Sequence, residues 1–322
     1  MIRRRTLLRM LPLLGAASPF RPAAAQQFPT RPMRIIVPFP AGGAADIQTR
    51  AFADALSAYF GQRVLVDNRP GAGGNLGTDA AAKSPPDGYT LVIGGPNVIN
   101  TRYLLRDTPF QWERDLDPIG LMFASANVLV VHPSVPARTV PEFIAYLRAN
   151  PGKLNFASAG AGGSIHLSAE MFMKMTGTQM VHVPYRGDAL ARADLTNGAV
   201  QVMFNAITSS IEPVQQGQWR ALATTGSTRS PAFPDLPTLE EAGLPGYVVL
   251  SWQGLFAPKG VPAPILARLR EGFDSVFADP AARATFERLG TNPTPSSAAD
   301  HLAFMRAQEV LWAPVLRSFA PQ

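Results

Sequence analysis

The chain contains no cysteine. Neither a disulfide framework nor a thiolate metal site is open to it, and no lipid can be attached at a lipobox cysteine. Long hydrophobic runs are missing too: beyond the first 25 residues nothing approaches the ~20 apolar residues that cross a bilayer. The four histidines, His132, His166, His182 and His301, stand apart with no His-x-x-x-His pair, so no metal is expected. No Gly-Lys-Ser/Thr is present to hold phosphates, which argues against a nucleotide cofactor.

A lasting excess of positive charge is also absent. Lys and Arg number 29 against 23 Asp and Glu, a net +6. The arginines at 3, 4, 5, 9 and 21 belong to a segment that reads as an export signal. A short apolar stretch runs from Leu7 to Ala17, and Ala23-Ala24-Ala25 offers small residues before a cut at Gln26. Removing residues 1–25 leaves 24 basic against 23 acidic residues, a net +1. Nothing then calls for nucleic acid or an anionic membrane surface as partner. Arg4-Arg5-Thr6-Leu7-Leu8-Arg9 resembles the twin-arginine pattern, so export by that route or the general secretory one is expected. The mature protein is expected free in the periplasm, cut near Ala25, with no direct membrane insertion.

What is there is an alternation of β-branched runs and helical patterns, the mark of an α/β fold. Strands are predicted at 34–39, 64–67, 90–94, 119–123, 128–132, 154–157, 180–184, 200–205, 221–225 and 248–256. Thr139-x-x-Glu142 forms a capping box for a helix ending at Asn150-Pro151-Gly152. Three helices without intervening strands are predicted for the tail, at 264–273, 280–289 and 298–319. No internal repeat is evident. The consecutive strands 119–123 and 128–132, and the later run 248–256, suggest a chain that crosses to a second domain near 130 and returns near 250. The expected organisation is a signal at 1–25, a first domain of 26–130 plus 250–322, and a second of 131–249. Paired crossings make a hinge, with ligand between the domains.

Three glycine-rich strand-to-helix turns are candidates to line that cleft. They are Ala41-Gly42-Gly43 with Asp46, the stretch from Asn68 through Gly73 and Gly74 to Asn75, and Ser158-Ala159-Gly160-Ala161-Gly162-Gly163-Ser164, which opens the helix of His166. Glycine lets backbone approach a ligand, and the first helical N–H groups have no internal acceptor. A dinucleotide fold fails because residues 42–47 read Gly-Gly-Ala-Ala-Asp-Ile, not Gly-x-Gly-x-x-Gly. A periplasmic serine hydrolase using Ser164 and His166 is the alternative function, although Gly162-Gly163-Ser164-Ile165-His166 lacks the second glycine of a nucleophile elbow.

The motifs taken in order resemble a known family. They are Phe28-Pro29-Thr30-Arg31-Pro32, Ile36 to Gly43 with Asp46, Asn68 to Asn75, Pro85-Pro86-Asp87-Gly88-Tyr89-Thr90-Leu91, Pro151 to Asn155, His182-Val183-Pro184-Tyr185-Arg186-Gly187 and Glu241 to Tyr247. Together they are similar to the extracytoplasmic solute receptors of tripartite tricarboxylate transporters, the Bug-type receptors. The resemblance implies a periplasmic binding protein type II-like Venus flytrap of two α/β domains. It implies a small carboxylate ligand, di- or tricarboxylate or aromatic acid, delivered to membrane transporter subunits. It implies a monomer without catalysis or cofactor. Carried over by motif, Phe39, Ala41, Gly42, Gly43 and Asp46 form the first wall, and Gly73 and Asn75 come from the second turn. Ser158, Ala159, Gly163, Ser164 and His166 line the facing domain, and Tyr185 closes its base. Where many members have Met-Phe-Asp, this chain has Met203-Phe204-Asn205. Asn205 is a candidate contact, and loss of a carboxylate there favours a non-amino acid.

Overall fold

A computed structural model describes residues 28–104, 107–289, 291 and 293–317. The expected export signal and the tail beyond Arg317 lie outside them. In chain order the elements are β1 (Met33–Val37), α1 (Ala44–Phe60), β2 (Val64–Asn68), α2 (Asn75–Ala82), β3 (Thr90–Gly94), α3 (Pro96–Leu104), the one-turn α4 (Trp112–Asp115) and β4 (Leu116–Val131). Then follow α5 (Val140–Ala149), β5 (Asn155–Ser158), α6 (Ser164–Thr176), β6 (Val181–Pro184), α7 (Asp188–Thr196), β7 (Val202–Ala206), α8 (Ile211–Gln215) and β8 (Arg220–Thr224). The chain closes with β9 (Leu250–Pro258), α9 (Ala263–Ala278), α10 (Pro280–Arg288), β10 (Pro293–Ser296) and α11 (Ala298–Arg317).

The strands lie in the order β2-β1-β3-β9-β4-β7-β5-β6, with β8 and β10 also paired to β4. Both ends of this order are parallel, as the alternation predicts: β1 with β2 and β3, and β5 with β6 and β7. The middle is antiparallel, because β9 runs against both β3 and β4, and β4 runs against β7. Strands expected separately at 119–123 and 128–132 are one 16-residue strand. The intervening Ala124-Ser125-Ala126-Asn127 lacks the branched residues that mark a strand but holds no breaker, and Ala124, Ser125 and Ala126 pair with Trp252, Ser251 and Leu250. Beyond them Asn127 to Val131 pair with β7. A single strand thus belongs to both halves of the fold.

Each half closes its own core. Ile35, Val37, Leu91 and Ile93 pack with Phe52 of α1 and Phe273 and Phe277 of α9. Phe52 meets the two rings at 5.8 and 5.7 Å. Burying such a side chain contributes about 1.5–3 kcal/mol. Leu129, Val131, Phe143, Phe156, Phe172 and Phe204 form the other core. Two features depart from the sequence reading in the tail. Pro293–Ser296 adds a short strand against β4, where two prolines discourage a strand assignment but are tolerated at an edge. And α11 reaches both halves: Met305 packs with Ile36, Trp252 and Phe256 in a further cluster of the first half, while Trp312, Val315 and Leu316 enter the cluster of Leu129 and Phe143. No helix among the described residues is long and apolar enough to cross a membrane.

Candidate ligand-binding site

The first wall is the turn between β1 and α1. After Pro38, which has no N–H for a ladder, Gly42 turns at φ 80° and Gly43 becomes an extended N-cap at φ −79° and ψ 166°. That cap brings no side-chain hydrogen bond. Helical bonding starts with Ile47 N–H on Gly43 O, which leaves the N–H groups of Ala44, Ala45 and Asp46 without an acceptor inside the helix.

The turn between β5 and α6 repeats this backbone. Gly162 stands at φ 80°, Gly163 is the N-cap at φ −77° and ψ 168°, and Leu167 N–H bonds Gly163 O. Ala41–Asp46 and Ala161–His166 are therefore one device used twice, a local repeat that a linear scan passes over because its flanks differ.

The side chain at the third helical position anchors each turn. Gly42 N–H donates to Asp46 Oδ2 at 2.9 Å, and Gly162 N–H donates to His166 Nδ1 at 3.2 Å. Each anchor is held from four residues further on. Arg50 Nε donates to Asp46 Oδ2 at 3.0 Å, and His166 Nε2 faces Glu170 Oε1 at 3.2 Å. The polarity is inverted between them, acid then base in one wall and base then acid in the other. Asn68 Nδ2 also donates to Asp46 Oδ1 at 2.9 Å. Burial opposes ionisation of Asp46, but the hydrogen bonds from Arg50, Gly42 and Asn68 and the charge of Arg50 outweigh it, and its carboxyl lies below the usual range.

Between the walls lies a cavity of about 260 Å³. Gly43, Ala44 and Ala45 line it on one side and Gly163, Ser164 and Ile165 on the other, so the same three positions of both devices face one space. Phe39, Ala41, Gly73, Ala159 and Asn205 also line it. The remaining expected residues stand behind this surface. Gly42, Asp46 and His166 shape the turns as described. Ser158 is fully buried, accepts from Gly160 N–H at 3.2 Å and lies 2.6 Å from His182 Nε2. His182 stacks on His166 at 4.2 Å; burial first, then the neighbouring His166, push it down to about 3. Asn75 is buried with its Oδ1 against Thr101 Oγ1. Tyr185 borders an adjoining groove and donates to Asp194 Oδ2 at 2.6 Å; burial and that carboxylate raise it to about 12.

Further residues complete the lining: Asn97 from α3, Asn127 from β4, Arg186 just before α7, Asp188 at its start, and Gln253 from β9; Asn127, Asp188 and Gln253 were missed from the sequence. Among the described residues Arg186 is the one cation in the lining, and it was legible as part of the His182–Gly187 motif. Asn127 and Gln253 offered a fainter signal, an amide inside an apolar strand. The walls touch where backbone is bare. A Cβ on Gly73 would stand 2.9 Å from Ala161 O, and one on Gly187 would stand 3.1 Å from Pro40 Cγ. Asn100 Nδ2 donates across to Gly162 O at 3.1 Å.

The hydrolase alternative finds no geometry here. Both His166 nitrogens are engaged, by Gly162 N–H and Glu170, and Ser164 is the first helical residue with no bond to that ring.

Two α/β halves that share long strands and aim paired helix N-termini into one cleft define a two-lobed solute-binding protein. Residues 48–320 match the family model TctC, the tripartite tricarboxylate transporter family receptor, and the chain belongs to this family of periplasmic receptors. It is 34% identical over 318 residues to protein BugT of Bordetella pertussis, covering 97% of each chain. Among solved structures it is similar to Rpa4515 of R. palustris with adipate, at TM-score 0.84 and 33% identity over 89% of this chain and 97% of that one. It is also similar to MatC of Rhodopseudomonas palustris with bound malate, at TM-score 0.84 and 28% identity over 90% of this chain and all of that one, 100%.

Proposed function

We propose that this receptor captures a small carboxylate, with one carboxylate group held between the β1–α1 and β5–α6 turns, and passes it to the membrane subunits of a tripartite transporter. The observation that carries the reading is the convergence of the N-cap and first two helical positions of α1 and α6 on one cavity. Each helix N-terminus favours an anion by ~0.3–1 kcal/mol when exposed and up to ~2 when partly buried. Each hydrogen bond to a charged group adds ~1.5–3 kcal/mol. Two facing turns therefore hold one carboxylate by several bonds, and Arg186 draws it in from the rim. The adipate and malate of the two solved relatives belong to the same chemical class.

In this reading Gly42, Asp46, Asn75, Ser158, His166 and Tyr185 shape the site from behind, while Phe39, Ala41, Gly43, Gly73, Ala159, Gly163, Ser164 and Asn205 meet the ligand. The domains, divided near 130 and 250, close on it in proportion to its differential affinity for the closed state. No step is catalysed, the working unit is a monomer, and the signal is removed near Ala25. Thermal shift and calorimetry with di- and tricarboxylates, aromatic acids and amino acids provide the test. One-to-one binding of an acid without turnover supports the reading; a panel with no shift at millimolar concentration overturns it.

A further inference from the structure

Asp188 is the one carboxylate in the cavity lining among the described residues, so the neutral Asn205 does not leave that lining without an acid. It opens α7, where an acidic residue suits the helix N-terminus, and its Oδ2 stands 3.6 Å from Arg192 Nε one turn on. That accounts for one oxygen. The other, Oδ1, accepts no hydrogen bond among the described residues and reaches across the cleft to the β1–α1 turn: a Cβ on Gly43 would stand 3.2 Å from it.

The backbone arranges this approach. Gly187, the N-cap of α7, lies at φ 117°, a conformation that residues with a side chain rarely adopt, and a Cβ there would come within 3.1 Å of Pro40 Cγ. Bare backbone at 187 lets the start of α7 close on Pro40 and brings Asp188 Oδ1 beside Gly43, the N-cap of α1. The reading above places the ligand's carboxylate at the next N–H groups of that same helix, those of Ala44, Ala45 and Asp46. Two carboxylates at one helix end repel each other unless a positive group lies between them. Arg192 meets Asp188 on Oδ2 alone, and Arg186, exposed at the rim, makes no ion pair with it among the described residues.

We infer that the captured acid is an α-amino acid whose ammonium is received by Asp188 Oδ1, which makes Asp188 the residue that selects amino acids over other carboxylates. This rests on the carboxylate reading above and narrows its substrate class. An α-amino acid carries its ammonium on the carbon next to its carboxylate, so a single ligand meets the α1 N-terminus and Asp188 side by side. An α-hydroxyl offers a donor there but no charge. An unsubstituted acid offers neither and leaves Asp188 to oppose the ligand's own carboxylate. Because Gly43 belongs to the first lobe and Asp188 to the second, the ammonium also ties the lobes together and favours the closed state.

The test is titration calorimetry of the purified receptor with acids that share a carbon skeleton and differ only at the α-carbon. The sets are aspartate, malate and succinate; glutamate, α-hydroxyglutarate and glutarate; alanine, lactate and propionate; and phenylalanine, phenyllactate and phenylpropionate. In the set that binds best, the amino acid is expected to bind at least tenfold tighter than its hydroxy and unsubstituted counterparts. Asp188→Asn, which keeps the shape and removes the charge, is expected to cut that preference below threefold, both affinities being measured on the same folded variant. A hydroxy or unsubstituted acid that binds the unaltered receptor as tightly as the amino acid of its set overturns the inference while leaving the carboxylate reading intact. An amino-acid preference that survives Asp188→Asn, or binding confined to acids without an amino group, does the same. Binding by no acid of any class overturns both.

Discussion

Asp46 and His166 hold equivalent positions in the two walls: each accepts the N–H of a left-handed glycine four residues earlier, and each is held by a residue four further on. The pairs are Asp46–Arg50 and His166–Glu170, so the device depends on acceptor geometry and tolerates either order of charge. A transplant checks this. His166→Asp alone faces Glu170 with a like charge and is expected to lower ligand affinity at least tenfold. His166→Asp with Glu170→Arg restores the Asp46–Arg50 arrangement and is expected to recover most of it. Titration calorimetry of the three proteins decides.

Asp46 should matter for stability as well as binding. Asp46→Ala leaves Gly42 N–H, the Asn68 amide and Arg50 without their common acceptor. The expected cost is about 1–3 kcal/mol in a urea melt. Because its folded pKa is depressed, the carboxylate's contribution is complete above its unfolded value near ~3.9 and is lost as pH falls through the folded value.

Two histidines act in the same direction at higher pH. Burial holds His182 at about 3 and His301 at about 4, the latter packed on Trp252 and Phe256 with both ring nitrogens unpaired among the described residues. Between these values and ~6.5 the unfolded chain binds protons that the folded one refuses, so stability rises with pH through that window. At pH 5 the loss relative to pH 7.5 is on the order of 2 kcal/mol for fully buried His301 and less for half-buried His182. His301→Leu is expected to flatten the pH dependence of the melting temperature below pH 6.5.

Closure is expected to fail when bare backbone is covered. A Cβ on Gly73 would meet Ala161 O at 2.9 Å, and φ is 65° there; on Gly160 it would meet Gly73 Cα at 3.2 Å, with φ at 138°. Gly73→Val is expected to weaken binding at least tenfold and to keep the scattering profile expanded when ligand is added.

Arg186 lines the cavity as its one cation among the described residues and is exposed at the rim. Arg186→Gln is expected to slow association severalfold at low salt and to reduce its salt dependence, with a smaller change in dissociation. Stopped-flow binding at two ionic strengths separates the two.

Much of the site was legible because its chemistry is local. Strand, paired glycine and helix follow one another at 37–46 and at 157–166, so sequence neighbours are also neighbours in space. The amides were harder to foresee. Asn97, Asn127, Asn205 and Gln253 come from four separated elements, and only strand register brings them round one cavity. Asn205 was reached through its motif; Asn127 and Gln253 needed the fold. The continuity of β4 was hidden for a related reason, since Ala124 to Ala126 owe their extended form to the partner β9, not to their own propensity.

The placement of α11 bears on how the polypeptide reaches its native state. Met305 completes an interior begun by residues near 36, and Trp312 and Leu316 complete one begun near 129. Neither interior is sealed until α11 arrives. A chain shortened before Ala298 is expected to leave both halves unfinished, which makes α11 the point at which folding is committed.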